Sequence, residues 1–152
     1  MSAPRPLGLI RIALAALASI VMLAVAAPAA AAPPNPVLVL TGIEHYSTGG
    51  KNWVRHRYDV VNKDQYPAEM FAMAPSLPPC GSNTHASRSW VDFFDSNGKR
   101  LYGFCALLDP QGLGNIWFAT EEGTVPPSHV YIEITDRQAQ VKYRSNLADT
   151  TM

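Results

Sequence analysis

The sequence predicts an all-β fold, an antiparallel sandwich of about seven or eight short strands preceded by an apolar leader. Three observations carry that expectation. Residues 52–62, NWVRHRYDVVN, alternate between two side-chain sets, the period-2 signature of a half-buried strand. Asn97-Gly98 lies between two apolar runs, the strongest short-range sign of a hairpin. Turn-forming clusters of Gly, Pro, Asn and Asp recur roughly every 8–12 residues, and no run of helical period follows the leader.

The leader comes first. Residues 1–11 hold Arg5 and Arg11 and no acid, residues 12–27 are apolar apart from Ser19, and the small-residue stretch PAAAAPPNP follows. That order is a signal peptide's, and it assigns residues 1–31 to the leader and 32–152 to the sandwich. Pro33 disfavours a cut after Ala32, since proline has no N–H and a fixed φ. Cleavage after Ala31, with Ala29 at the −3 position, fits best, and cleavage after Ala29 comes second. An uncleaved anchor is the competing reading, because the apolar run nearly reaches spanning length. No cysteine stands near the cut, so a lipid anchor is not indicated.

Residues 37–46, VLVLTGIEHY, read as the first strand, and residues 48–51 as a Gly-rich turn. In the next strand Val54, His56, Tyr58 and Val60 form the core set. Trp53, Arg55, Arg57, Asp59 and Val61 form the outward set. Residues 64–81 break pattern at Pro67, Pro75, Pro78 and Pro79, with an edge strand expected at 69–73 and an extended crossing at APSLPPCG. Residues 87–108 are the central hairpin. A type I′ turn centred on Asn97-Gly98 pairs Asp95 with Arg100, Phe94 with Leu101, Phe93 with Tyr102, Asp92 with Gly103, Val91 with Phe104 and Trp90 with Cys105. Both faces of this hairpin are apolar, which places it mid-sheet. A loop at 109–114, a strand at 116–120 and a connection at 121–128 follow. Val130, Ile132 and Ile134 then alternate with polar neighbours. A turn at 136–139 leads to a last strand at 140–145, with Val141 and Tyr143 inward and residues 146–152 as a frayed tail.

The two cysteines, Cys80 and Cys105, both fall after the leader. In an oxidising compartment they predict one disulfide; two buried free thiols are the alternative. A bridge closing about 25 residues stabilises by roughly 3–4 kcal/mol in the chain-entropy model. There is no Cys-x-x-Cys, so a redox pair is not indicated. Twelve basic residues balance twelve acidic ones, and losing Arg5 and Arg11 leaves the exported part slightly acidic. Nucleic-acid binding, which needs a basic stripe, is not expected.

RYDVVN, with Tyr58, Val60 and Asn62, resembles the Y-x-V-x-N strand of bacterial immunoglobulin-like modules. The ending PPSHVYIEITDRQAQVKYRS is similar to the last hairpin of fibronectin type III sandwiches. The resemblance implies an Ig-like or fibronectin-like strand arrangement and no particular ligand. The Cys…Trp…Cys spacing of true immunoglobulin domains is absent.

Catalytic signatures are thin. There is no G-x-S-x-G elbow, and the acid pairs Asp92/Asp95 and Glu121/Glu122 suit solvated turns. The letters from Asp95 mimic a calcium loop, but the twelfth position is Ala106 rather than a Glu. Met70, Met73 and His85, with His45, His56 and His129, supply copper-type ligands without a copper-site spacing. Trp53, Arg55 and Arg57 are the expected binding residues, since Trp and Arg are enriched where proteins meet. Asp92 joins them if its face is buried and it pairs with Arg55, Arg57, Arg88 or a backbone donor; otherwise that end of the strand reaches solvent or Asp92 makes one structural salt bridge.

The function that follows is an exported, non-catalytic binding or structural module, periplasmic or secreted, with no cofactor and no membrane insertion once the leader is cut. Its partner is a protein or another component of the cell envelope. A periplasmic copper-binding protein is the second reading and an enzyme of unknown type the third.

Overall fold

The computed structural model describes residues 31–152, and Ala32–Met152 form one compact unit. The leader and its cleavage sequence fall almost wholly on residues 1–30, outside the described residues. Eight strands run in chain order: β1 (Leu38–Thr48), β2 (Lys51–Val60), β3 (Ser89–Asp95), β4 (Arg100–Phe104), β5 (Ile116–Glu121), β6 (His129–Asp136), β7 (Val141–Arg144) and β8 (Ala148–Asp149). They form two antiparallel sheets, one ordered β1-β2-β5 and one ordered β4-β3-β6-β7, with β8 also paired to β6. This is an all-β sandwich, as the alternation in residues 52–62 predicts.

The core lies between the sheets. Tyr58, Val60, Ile116 and Phe118 from one sheet meet Val91, Phe93, Ile132 and Ile134 from the other. Tyr58, Phe93 and Phe118 form its aromatic centre, with ring centroids 5.3 to 6.0 Å apart. The prediction that Val54, His56, Tyr58 and Val60 face inward holds for the last three, while Val54 near the hairpin end is half-buried.

The I′ geometry expected at Asn97-Gly98 is found instead at the first hairpin turn. Gly49 (φ +59°) and Gly50 (φ +73°) are both left-handed, so the two-residue I′ turn sits between β1 and β2. At Asn97-Gly98 only Gly98 has positive φ (+85°). The Asp95 carbonyl accepts from Gly98 N (3.0 Å), and Asp95 N donates to the Lys99 carbonyl (2.9 Å). Asp95 Oδ1 accepts from Asn97 N and Lys99 N, both 2.9 Å. The loop is therefore a three-residue type I turn with an αL glycine, stabilised by an aspartate side chain that mimics backbone. Phe94 consequently pairs with Arg100, correcting the expected Asp95–Arg100 and Phe94–Leu101 pairs. An irregularity between Phe93 and Phe94 then restores the expected Phe93–Tyr102, Asp92–Gly103 and Val91–Phe104 partners. β3 is interior, but β4 is an edge strand.

Other expectations need correction. Residues 69–73 form no edge strand: Ala68–Met70 is a 3-10 turn, and only Met73 bridges to Ser87. The expected loop at 109–114 is largely a 3-10 turn, Pro110–Asn115, started by Asp109 Oδ1 accepting from Gln111 N at 2.7 Å. Val141 is exposed; Tyr143 alone of that pair packs on the core. The tail is not frayed. Ala148 and Asp149 pair with Val130 and His129. The Asn146 side chain accepts from Leu38 N (2.8 Å) and donates to the Leu38 carbonyl (3.0 Å). Backbone pairing and an amide clamp hold a segment whose sequence lacks apolar alternation.

Cys80 and Cys105 are paired, with Cα atoms 6.2 Å apart, within the range disulfides adopt. The bridge ties the proline-rich crossing to the end of β4.

Candidate functional site

Alternation along β2 puts Trp53, Arg55 and Arg57 on the outward face of the three-stranded sheet. Register supplies their neighbours: Tyr46 beside Trp53, Glu44 beside Arg55, Ala119 on the other side of Arg55, and Trp117 beside Arg57. The Arg55 guanidinium lies 4.5 Å from the Tyr46 ring centroid and 4.5 Å from that of Trp117. Each contact is a cation–π interaction, and together they hold the two rings apart. Glu44 balances the charge, paired with Arg57 and 3.6 Å from Arg55. Arg57 also donates to Asn115 Oδ1 at 2.6 Å.

The other sheet completes the arrangement. Tyr102 on β4 stacks on Trp117, centroids 4.8 Å apart and planes 25° apart, and Phe104 meets Trp117 edge-on at 5.9 Å. Between these rings lies a depression of about 270 Å³, lined by Tyr46, Thr48, Trp53, Tyr102, Trp117 and Ala119. Ala119 leaves space that a larger side chain would occupy. Trp53 Nε1 and Arg55 Nε are buried without hydrogen-bond partners among the described residues. Of the ring walls only Trp53 was legible in the sequence; Tyr46 joins it because the turn at Gly49-Gly50 sets the two opposite each other. Tyr102 and Trp117 were not legible: their meeting depends on how two sheets align.

Asp92 does not join this group. Val91 and Phe93 are buried, so the Trp90–Asp92–Phe94 face of β3 is the outer face of the five-stranded sheet. Asp92 accepts from Arg100 Nε at 2.7 Å rather than from Arg55, Arg57 or Arg88. A Cβ at Gly103 would collide with both Arg100 and the Asp92 carboxylate, so the pair sits directly over that glycine. Arg88 instead forks onto Asp136, with Nε 2.8 Å and Nη2 2.5 Å from its two oxygens. Burial works to raise the Asp136 pKa, but the Arg88 hydrogen bond and the backbone donors of Ala139 and Gln138 outweigh it, and the net direction is down.

The copper-type ligands are dispersed. Met70 is in the core. His56 is buried and stacks on Phe118 at 4.8 Å. Its Nδ1 donates to the Thr150 carbonyl at 3.0 Å, and burial pulls its pKa below the usual 6.5. His45 and His129 each lie 3.2 Å from a carboxylate, Glu122 and Asp149. Only His85 and Met73 come together, Nδ1 to Sδ 3.3 Å. Among the described residues no three His, Cys, Asp or Glu side chains cluster as metal ligands. The acids weighed for catalysis have structural partners: Glu121 with Lys51 (2.9 Å), Glu122 with His45, and Asp95 with its own turn.

No family model matches this sequence, and no curated protein or solved structure is significantly similar to it.

Proposed function

We propose that this protein is an exported, non-catalytic β-sandwich that binds a protein or cell-envelope partner through the outward face of β1, β2 and β5. The aromatic depression beside Arg55 supports this most directly, as a concave apolar site with a few polar groups and rings fixed in advance. Export is supported by the leader pattern of residues 1–31 and by the Cys80–Cys105 pair, which suits an oxidising compartment. Among the described residues no helix is long and apolar enough to cross a membrane.

The test is affinity capture of the exported protein from its own envelope fraction. Trp53→Ala combined with Arg57→Ala should abolish capture while lowering stability by only about 1–2 kcal/mol, since Arg57 belongs to a half-exposed ion pair. Capture that survives the double variant removes this face from the proposal. A second reading, copper handling, rests on the Met73–His85 contact alone. Absence of uptake in a titration with micromolar copper removes it.

A further inference from the structure

We infer that the depression among Tyr46, Trp53, Tyr102 and Trp117 is a subsite for one pyranose ring of a glycan, an inference that rests on the binding face proposed above. The lining is four aromatic rings, the Thr48 side chain and the Ala119 methyl, with hydroxyls on Tyr46, Tyr102 and Thr48 and no ionised group. A pyranose matches that chemistry, having an apolar C–H face to lie on a ring and hydroxyls around its edge to exchange hydrogen bonds. Anionic ligands are disfavoured, because the cations on this face are all engaged, Lys51 by Glu121 and Arg55 and Arg57 by Glu44. A purely apolar ligand would strand three hydroxyls away from water, which is unfavourable. An extended proline-rich segment needs successive aromatic slots. Here Phe104, the next ring along, is turned edge-on into Trp117 and Tyr102, leaving one slot.

The walls are set before any ligand arrives. Arg55 holds Tyr46 and Trp117, and Tyr102 and Phe104 hold Trp117 from its other side. Binding to such a site loses little freedom of the side chains, so even one stacked ring gives measurable affinity.

The test titrates the full-length exported protein with β-1,4-linked tetrasaccharides of glucose and of N-acetylglucosamine, read by calorimetry and tryptophan fluorescence. A proline-rich decapeptide runs in parallel. Saturable saccharide binding is expected, weakened about tenfold or more in Trp117→Ala. Ala119→Leu, which fills the floor without removing a wall, should cause a similar loss at unchanged melting temperature. Trp90→Phe, on the other sheet, should bind normally. The inference is overturned if neither tetrasaccharide binds up to millimolar concentration, if the decapeptide binds in their place, or if binding persists in both Trp117→Ala and Ala119→Leu. Failure here with envelope capture still dependent on Trp53 discards the sugar and keeps the binding face. Failure of both discards the face.

Discussion

The outer faces of the two sheets use the same side-chain vocabulary and end in opposite conditions. On the five-stranded sheet Arg137 lies 4.0 Å over Trp90, Arg144 lies 3.7 Å over Tyr131, and Phe94 stacks on Tyr131 at 5.2 Å. Tyr131 points outward yet is only 5% exposed. Asp92 has Arg100, and Glu133 has Lys142 at 3.0 Å. Each ring named there is covered, and each acid paired, by a neighbour from the same sheet or its connecting loops. On the three-stranded sheet the rings are spaced apart by Arg55 and Ala119, and Tyr102, reaching over from β4 of the other sheet, remains 38% exposed. Composition does not separate a covered surface from one that keeps an open depression. Spacing does, and a small residue at the right register position creates it.

Substitutions on the five-stranded side should therefore read in stability and those on the three-stranded side in binding. The largest effect is expected from Arg88→Ala. Asp136 has a side chain only 3% exposed and would lose its fork partner, costing about 3 kcal/mol in equilibrium denaturation. Acid titration gives the sign. The folded Asp136 pKa is depressed below its ordinary 3.8, so its stabilisation is fully present above about pH 4 and is lost as pH falls through the lower folded value. Without Arg88 the raising effect of burial loses its main opponent, and the acid unfolding limb should move to higher pH. His56 contributes a separate window. Its depressed folded pKa means that stability starts to fall as pH drops below about 6.5, with no help from Arg88.

A matched pair sharpens the comparison. Arg137→Ala removes the cover of Trp90 and two donated hydrogen bonds, to the Ser87 carbonyl (3.2 Å) and to the Pro78 carbonyl. The loss should be about 2 kcal/mol, with ligand or partner binding unchanged. Arg55→Ala removes two cation–π contacts on the other sheet and should cost about 1–2 kcal/mol while also abolishing binding, because Tyr46 and Trp117 are no longer held apart. Equal binding in the two variants would erase the distinction between the faces.

The sheets were legible because alternation is a local signal: Tyr58, Val60, Ile132 and Ile134 point where their parity places them, whereas β3 is apolar on both faces and its pattern did not choose Val91 and Phe93 for the core. The hairpin at Asn97-Gly98 was legible in position but not in turn type, since the deciding contact is the Asp95 carboxylate on two amides. Of the depression's lining only Trp53 was legible, by parity, with Arg55 beside it; Tyr46 follows from the register that the Gly49-Gly50 turn sets. Tyr102 and Trp117 depend on the stagger of two sheets, a tertiary property that no local pattern carries. The tail was misread for a related reason. Asn146 and Thr150 are held by Leu38, His56 and Pro127, all distant in sequence.

The smallest expected effect concerns Asp92, which sequence reasoning grouped with Trp53, Arg55 and Arg57. Its partner Arg100 is 61% exposed. An ion pair with one end in solvent contributes about 0–1 kcal/mol and weakens with salt. Arg100→Ala should therefore shift the denaturation midpoint slightly at low ionic strength and not at all in molar salt. The Asp92 side chain keeps about a fifth of its surface in water, so it is not left as an isolated buried charge when Arg100 goes. Binding at the Trp53–Trp117 depression should be unaffected in Arg100→Ala and in Asp92→Asn alike. If either variant weakens binding, the two outer faces are coupled through β4, which carries Arg100 outward and Tyr102 toward Trp117, and the separation drawn between them fails.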